Sequence, residues 1–302
     1  MTQKIDFSLY INDGSSFQKL FDYLKCNSDN GILIFTPNSI SYNELVPQSD
    51  NSDKTLNVSN VCDFDITKIG NYEYSMDEPE YLVYFTLKTF KGIIKNTKKK
   101  DKIFMYKTAD DNAIYVKVIK PGENASSVSV SYIRPLAMQD SNYTTYSDIN
   151  KNDDVPDCVV SPTNFKNDCS NISPTDYKKI TIFCSSGKME IKAISVDNSD
   201  GHLIQYGKSN TMDINSIDVS KINLNFDRIN LNSFNTFTES VKVNIIQPKK
   251  DLLLELPTST FKNLVKLTQF SNDNIKFYFE DGYIKILTHV GNYGTLRTFI
   301  SN

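Results

Sequence analysis

The chain has 302 residues, of which 39% are hydrophobic, 12% aromatic and 23% charged. This length suffices for about two domains with buried cores and excludes a disulfide-stapled miniprotein. The net charge of −3 argues against a uniformly basic nucleic-acid binder but leaves room for a basic face on an acidic protein. No run approaches the roughly 18 apolar residues that a membrane span needs, and the amino terminus has no apolar signal region. We therefore expect an intracellular protein with no membrane partner.

The five cysteines are widely spaced and form no C-x-x-C pair, and the chain has only two histidines. This pattern favours reduced, mostly buried thiols and argues against a metal site. Motifs for phosphate-binding loops, zinc proteases and serine nucleophiles are also missing from the sequence. The aspartate pairs at 110–111 and 153–154 fall in a turn and a linker, where they are typical of solvated residues. The sequence thus predicts no enzyme activity, no catalytic residue, no metal and no cofactor.

The same order of elements, a strand, a helix and a hairpin, recurs four times along the chain. Apolar residues at i, i+3, i+4 and i+7 predict helices at 16–26, 86–98, 162–172 and 258–270. Alternating apolar residues and turn signals predict twelve strands, at 5–11, 31–36, 39–43, 81–85, 103–107, 114–119, 158–160, 179–184, 188–194, 252–256, 275–279 and 283–287. Polar, aperiodic stretches at 47–57, 137–156 and 195–215 are expected to be loops.

Two of these units precede residue 131 and two follow residue 156. The predicted fold class is therefore α+β, a duplicated architecture of two similar domains, each with two helices packed on antiparallel sheet. The expected boundaries are a first domain at 1–136, an interdomain connector at 137–156 and a second domain at 157–302.

The predicted helices are basic although the protein is acidic. They carry only two acids, Asp22 and Asp168, against nine lysines: Lys19, Lys25, Lys88, Lys91, Lys95, Lys98, Lys166, Lys262 and Lys266. A lysine face also keeps an ordinary helix soluble, and residues 98–100 would suit a helix carboxyl end equally well. If all four helices lie on one side of the sheets, however, the lysines form one electropositive surface that suits phosphates without reading bases.

The sequence resembles the sliding clamps of the proliferating cell nuclear antigen (PCNA) family over most of its length. The resemblance rests on residues 16–25 (SFQKLFDYLK), 87–95 (LKTFKGIIK), 109–115 (ADDNAIY), 158–165 (CVVSPTNF) and 291–300 (GNYGTLRTFI), in that order. It implies the duplicated DNA-clamp fold and a head-to-tail homotrimeric ring that encircles double-stranded DNA, with the helices lining the hole. By similarity, Lys19, Lys25 and Lys95 face DNA, while Lys91, Lys262 and Lys266 join them on periodicity alone. The third helix departs from the family, because Asn167 and Ser170 stand at its basic positions.

The resemblance also implies partners: a DNA polymerase and other proteins with a PCNA-interacting peptide, and a clamp loader. The peptide pocket would lie beneath the connector, with acidic connector residues suited to basic residues that flank the peptide. Its wall would be built from Leu45 or Val46, Tyr146, Ile149, Tyr283, Ile284 and Phe299. Ordinary core packing accounts equally well for Ile284 and Phe299.

The extra loop length and the A/T-rich coding bias, visible as 30 Lys against 3 Arg, indicate a clamp of a large DNA virus. It would act in replication and repair in the host nucleus or at a cytoplasmic viral replication site. Three alternatives stay open. One is a monomeric or dimeric viral processivity or late-transcription factor that grips DNA electrostatically. Another is a metal-dependent nuclease or phosphatase, and the last is a clamp subunit that assembles only with paralogues.

Overall fold

The structure is a computed structural model that describes residues 4–44, 46–47, 57–122, 130–137, 143–144, 153, 155–185, 188–195, 201–207, 251–280 and 282–301. Within these residues there are five α-helices: α1 (Gly14–Leu24), α2 (Ile66–Ile69), α3 (Leu87–Ile94), α4 (Pro162–Cys169) and α5 (Thr258–Val265). A 3-10 turn at Lys266–Gln269 continues α5.

The strands of the first half are β1 (Ile5–Ile11), β2 (Asn30–Thr36), β3 (Ser39–Glu44), β4 (Val46–Pro47), β5 (Asn57–Phe64), β6 (Tyr72–Tyr74), β7 (Tyr81–Thr86), β8 (Lys102–Thr108), β9 (Ile114–Ile119) and β10 (Val130–Ile133). Those that follow are β11 (Tyr143–Thr144), β12 (Cys158–Val160), β13 (Tyr177–Ser185), β14 (Lys188–Ser195), β15 (Gly201–Gly207), β16 (Leu252–Pro257), β17 (Ile275–Glu280), β18 (Tyr283–Val290) and β19 (Gly294–Ser301). The four predicted strand, helix and hairpin units are all present.

One eight-stranded antiparallel sheet connects the two halves of the sequence. Its order is β12-β17-β18-β19-β5-β3-β2-β7, so the last strand of the chain pairs with β5 of the first half. That pairing extends without interruption from Gly294 opposite Phe64 to Ser301 opposite Asn57. A five-stranded sheet, β10-β9-β8-β1-β6, belongs to the first half, and a four-stranded sheet, β15-β14-β13-β16, belongs to the second.

The core lies between the inner faces of these sheets and the apolar stripes of the helices. In the first half, Phe7 stacks on Phe35 across two sheets at 4.4 Å between ring centroids, and Phe21 meets Phe90 edge-on at 4.4 Å. In the second half, Phe165 of α4 lies between Phe261 and Phe277. All of these rings are buried. The aromatic residues fill the large core volumes, as the composition predicts.

The helices touch one another in series. α1 packs against α3 and against the 3-10 turn, while α4 packs against that turn and α5. The spatial order is therefore α3, α1, α5 with its turn, and α4. We call these four helices with the 3-10 turn the helical layer; it is continuous across the point where the two halves meet.

Local hydrogen bonds correct the predicted helix bounds. Asp13 caps α1 by accepting from the Ser16 amide at 3.1 Å, so the helix begins at Gly14 rather than at 16. The Thr97 hydroxyl donates to the Ile94 carbonyl at 2.7 Å and ends α3 there, four residues before the predicted end. α4 ends at Cys169 rather than at 172. The predicted loop at 195–215 was also wrong in part, because residues 201–207 form β15.

All five cysteines are free thiols; Cys26 is exposed and the other four are buried. This confirms the expectation that most of the thiols are buried. Among the described residues, no helix is both long and apolar enough to cross a membrane.

Candidate nucleic-acid interface

The helical layer carries the lysines that the sequence singled out, but the lysines differ in their surroundings. In α1, Lys19 is half-buried, and Lys25 lies at the C-cap, where its Nζ forms a 2.5 Å ion pair with Asp29. Asp29 is fully exposed, and hydrogen bonding to Lys25 lowers the pKa of its carboxyl. Lys25 is thus partly neutralised by a neighbour on its own segment.

Two of the four lysines predicted to share the face of α3 lie outside that helix. Lys88 and Lys91 are in α3, whereas Lys95 is its C-cap and Lys98 follows it. The Nζ of Lys91 pairs with Asp22 of α1 at 2.9 Å and thereby joins the two helices. Lys88, Lys95 and Lys98 are exposed, and none of them pairs with any described carboxylate within ion-pair distance. The i, i+3, i+7, i+10 interpretation is therefore corrected to two helical lysines and two at the helix end.

In the second half, Lys166 of α4 is exposed, and Lys262 of α5 donates to the Ser170 carbonyl across to α4 at 3.4 Å. Lys266 lies at the junction of the halves, with its Nζ 2.9 Å from Cys26 Sγ and 3.1 Å from Asn263 Oδ1. Asp168 accepts from the Tyr206 hydroxyl at 3.0 Å. These contacts connect neighbouring elements of the layer, whereas Lys166 is exposed.

The layer therefore carries ammonium groups from both halves of the chain. Lysine ammonium groups contact phosphates without reading bases, and exposed ones do so through weak, salt-sensitive interactions. Among the described residues, no group of three or more His, Cys, Asp or Glu side chains could hold a metal ion. The chemistry that this surface offers is binding of phosphate by cations.

Part of the predicted partner pocket lies on the opposite side of the eight-stranded sheet. The rings of Tyr283 and Phe299 lie 6.1 Å apart on β18 and β19. Val46 is in β4, which pairs with Tyr143–Thr144 and so connects the first half to residues just before the connector's centre. Leu45, Tyr146 and Ile149 lie outside the described residues. Ile284 is fully buried in the core, on the face of β18 opposite to that of Tyr283.

Sequence reasoning missed two polar clusters at the junction of the halves. The first is an ionic cluster in which Arg297 of β19 contacts Asp63 of β5 and Asp153 of the connector. The only sequence signal for it is that arginine is rare in this chain.

The second cluster is a buried chain of hydrogen bonds. Tyr23 of α1 lies 3.0 Å from the Thr298 hydroxyl, which donates to Asn60 at 2.7 Å, and the Asn60 amide donates to Glu44 at 2.5 Å. Burial raises the pKa of the Glu44 carboxyl from 4.5 to about 8, and the hydrogen bonds from Asn60 and Ser28 offset only part of that effect. This chain joins α1, β19, β5 and β3, so it connects the helical layer to the sheet where the two halves meet.

Comparison with sequence models of protein families gives no match, and comparison with curated proteins gives none. Among solved structures, the crystal structure of proliferating cellular nuclear antigen from Entamoeba histolytica is similar, with a TM-score of 0.66. The two chains are 10% identical in sequence, and the match covers 98% of each. This identity is low enough that the match establishes the fold alone. The chain has the fold of a PCNA-like clamp.

Proposed function

We propose that this protein is a DNA sliding clamp, a processivity factor that encircles double-stranded DNA and tethers replication and repair proteins to it. The observation that carries the proposal is the continuous helical layer, which bears lysines from both halves of a chain with a PCNA-like fold. Lys19, Lys88, Lys95, Lys98 and Lys166 would meet phosphates directly. Four further lysines would add to the positive potential of the layer while they keep their ion pairs and hydrogen bonds within the protein: Lys25, Lys91, Lys262 and Lys266.

A closed ring does not need tight binding. It remains on DNA until it opens, so weak contacts that exchange quickly allow it to slide while the linkage holds. Lysines that already have a partner within the protein, such as Lys91 and Lys266, fit this requirement, because they contribute positive charge without binding the DNA phosphates tightly. The proposed function therefore needs no catalytic residue and no cofactor.

Ring assembly is supported by one terminal strand in each half, β10 and β15, each of which has a single strand partner within the described part of the chain. β10 ends the five-stranded sheet and exposes Val130 and Tyr132, with 56% of Tyr132 accessible, while β15 ends the four-stranded sheet and exposes Leu203. Exposed apolar residues on an unpaired edge invite pairing with another chain. Because the two edges are different surfaces, their union is head-to-tail, and such a contact forms a ring when the rotation from one subunit to the next closes. We propose a homotrimer in which β10 of one subunit pairs with β15 of the next.

In this proposal the two domains are residues 1–136 and 157–302, and the connector 137–156 joins them. A clamp loader would open the ring, and a DNA polymerase or other partner would dock a peptide beside Tyr283 and Phe299. Val46, Leu45, Tyr146 and Ile149 would complete that pocket. The proposed setting is the host nucleus or a cytoplasmic viral replication site.

The experiment that tests this function compares retention on closed circular and linear DNA. The clamp is loaded on both at low salt and the complexes are then washed at high salt. A ring is retained on circles and lost from linear ends. A monomeric or dimeric factor that binds only by charge leaves both DNAs equally, and that result would refute the sliding clamp.

A further inference from the structure

The side chain of Arg297 contacts two segments that are far from it in sequence. Its Nη1 donates to Asp63 Oδ2 of β5 at 2.7 Å. Its Nε donates to Asp153 Oδ1 at 3.1 Å, and its Nη2 contacts the second oxygen of the same carboxylate. Since Arg297 itself is in β19, one guanidinium joins the first half, the connector and the second half.

Asp153 has further contacts besides those with the Arg297 guanidinium. The Nζ of Lys285, whose side chain is only 1% exposed, lies 3.5 Å from Asp153 Oδ1 and 4.3 Å from the centre of the Tyr278 ring. The Tyr278 hydroxyl donates to the Asp153 backbone carbonyl at 3.5 Å. Both the side chain and the backbone of this connector residue are therefore fixed to the sheet.

The residue type at 297 is itself informative. The chain contains 30 Lys and only 3 Arg, so lysine supplies positive charge almost everywhere. A lysine ammonium is a point charge, whereas a guanidinium presents a planar fork that binds both oxygens of one carboxylate and still reaches a second one. An arginine at this position indicates that the geometry of the contact matters, and not only its charge.

The hydrogen bonds that follow Asp153 in the sequence show which segment the contacts with Arg297 position. The Asp157 amide donates to the Phe279 carbonyl at 2.9 Å, and the Phe279 amide donates to Asp157 Oδ2 at 2.7 Å. These bonds lead the chain into β12. Arg297 is also two residues from Phe299 on the same strand and the same face, so Asp153 is held beside the proposed partner surface.

We propose that Arg297, Asp63 and Asp153 form an ionic clasp that fixes the carboxyl end of the connector across the junction of the two halves. The clasp holds Asp153, and with it the start of β12, beside the strand that carries Phe299. The bearing of the clasp on partner docking rests on the proposed function, because Phe299 belongs to the proposed docking surface. The clasp itself is a property of the free protein and is tested there.

The test is amide hydrogen exchange of the full chain, without DNA or partner, in the wild type and in the variants Asp153→Asn and Arg297→Lys. Both variants should speed exchange at the Asp157 and Phe279 amides by on the order of tenfold, since a charge-assisted contact is lost and local opening becomes easier. Glu255→Gln is the matched control, because it breaks an exposed ion pair with Lys179 on another sheet. The control should exchange at the wild-type rate at both amides.

Two results would overturn the clasp. One is equal exchange at Asp157 and Phe279 in the wild type and both variants. The other is an increase spread evenly over core amides such as that of Ile286, which would mean that the ion pairs stabilise the whole fold rather than the connector end. Neither result bears on retention on circular DNA, so the clasp and the clamp can fail independently.

Discussion

Glu44 is predicted to make the stability of this protein fall as the pH rises through neutrality. Its side chain is buried at the end of β3, and the described groups nearest to it are the Asn60 amide, the Ser28 hydroxyl and the neutral phenols Tyr23 and Tyr42. No described cation pairs with it. Burial therefore favours the protonated carboxyl and raises the pKa from 4.5 to about 8.

The sign and size of the effect follow from proton linkage. Below pH 4.5 the carboxyl is protonated in both the folded and the unfolded chain, so the pH has no effect through this group. Between pH 4.5 and about 8 the unfolded chain releases the proton and the folded chain keeps it. The free energy of unfolding should fall by about 1.4 kcal/mol per pH unit in this window, on the order of 5 kcal/mol in all.

Glu44→Gln removes the titration and keeps the shape, and the new amide can still accept from Asn60. Denaturant unfolding at a series of pH values from 4 to 9 should give nearly equal stabilities for variant and wild type at pH 4, with the variant increasingly more stable up to pH 8. Glu190→Gln, at a half-buried position on β14 where Glu190 accepts from Gln205, is the control and should show no such divergence. Parallel pH curves for Glu44→Gln and the wild type would refute the assignment of a neutral buried carboxyl.

Three further predictions concern assembly and packing. Tyr132→Lys combined with Leu203→Lys places charge on both open edges and should reduce the native mass from that of a trimer to that of a monomer in light scattering; an unchanged mass contradicts the proposed interface. Phe90→Ala removes a fully buried ring that contacts Phe21 at 4.4 Å and should lower the free energy of unfolding by about 3–5 kcal/mol; a loss below about 1 kcal/mol would contradict its place in the core. Gly70→Ala should cost about 1–3 kcal/mol, because Gly70 has φ +150° and an added Cβ would collide with the Tyr10 carbonyl oxygen; calorimetry that finds no loss contradicts this strain.

The repeated units could be predicted from sequence because the apolar residues in each helix and strand recur with the period of that element. The stripe of Phe17, Leu20, Phe21 and Leu24 in α1 is fully buried as expected, and the strands of the hairpins agree with the structure to within about three residues. What the periods could not specify was where the helices end. That is decided by single hydrogen bonds such as that from Thr97 to Ile94.

The strands that sequence reasoning missed are those whose inward positions are not all apolar or whose partners are distant. In β5 the inward side includes the buried Asn60, which breaks the apolar alternation and forms hydrogen bonds with Glu44 and Thr298 of other strands. β15 begins and ends with glycine, which is typical of a turn, and its pairing with β14 makes it a strand. Among the predicted site residues, Tyr283 and Ile284 are adjacent on β18 and therefore point to opposite faces of the sheet; the register shows that Tyr283 shares its face with Phe299.

The central claim is that the helical layer, and no other surface, faces the DNA. The measurement that tests it most directly is the slope of log affinity for duplex DNA against log salt concentration. It compares the triple variant Lys19→Glu, Lys95→Glu and Lys262→Glu with a control triple at Lys102, Lys192 and Lys276, which lie on the sheet faces away from the core. The layer variant should lose about one unit of slope for each of Lys19 and Lys95 and a smaller amount for Lys262, while the control keeps the wild-type slope. An unchanged slope in the layer variant, or an equal loss in the control, would contradict the claim.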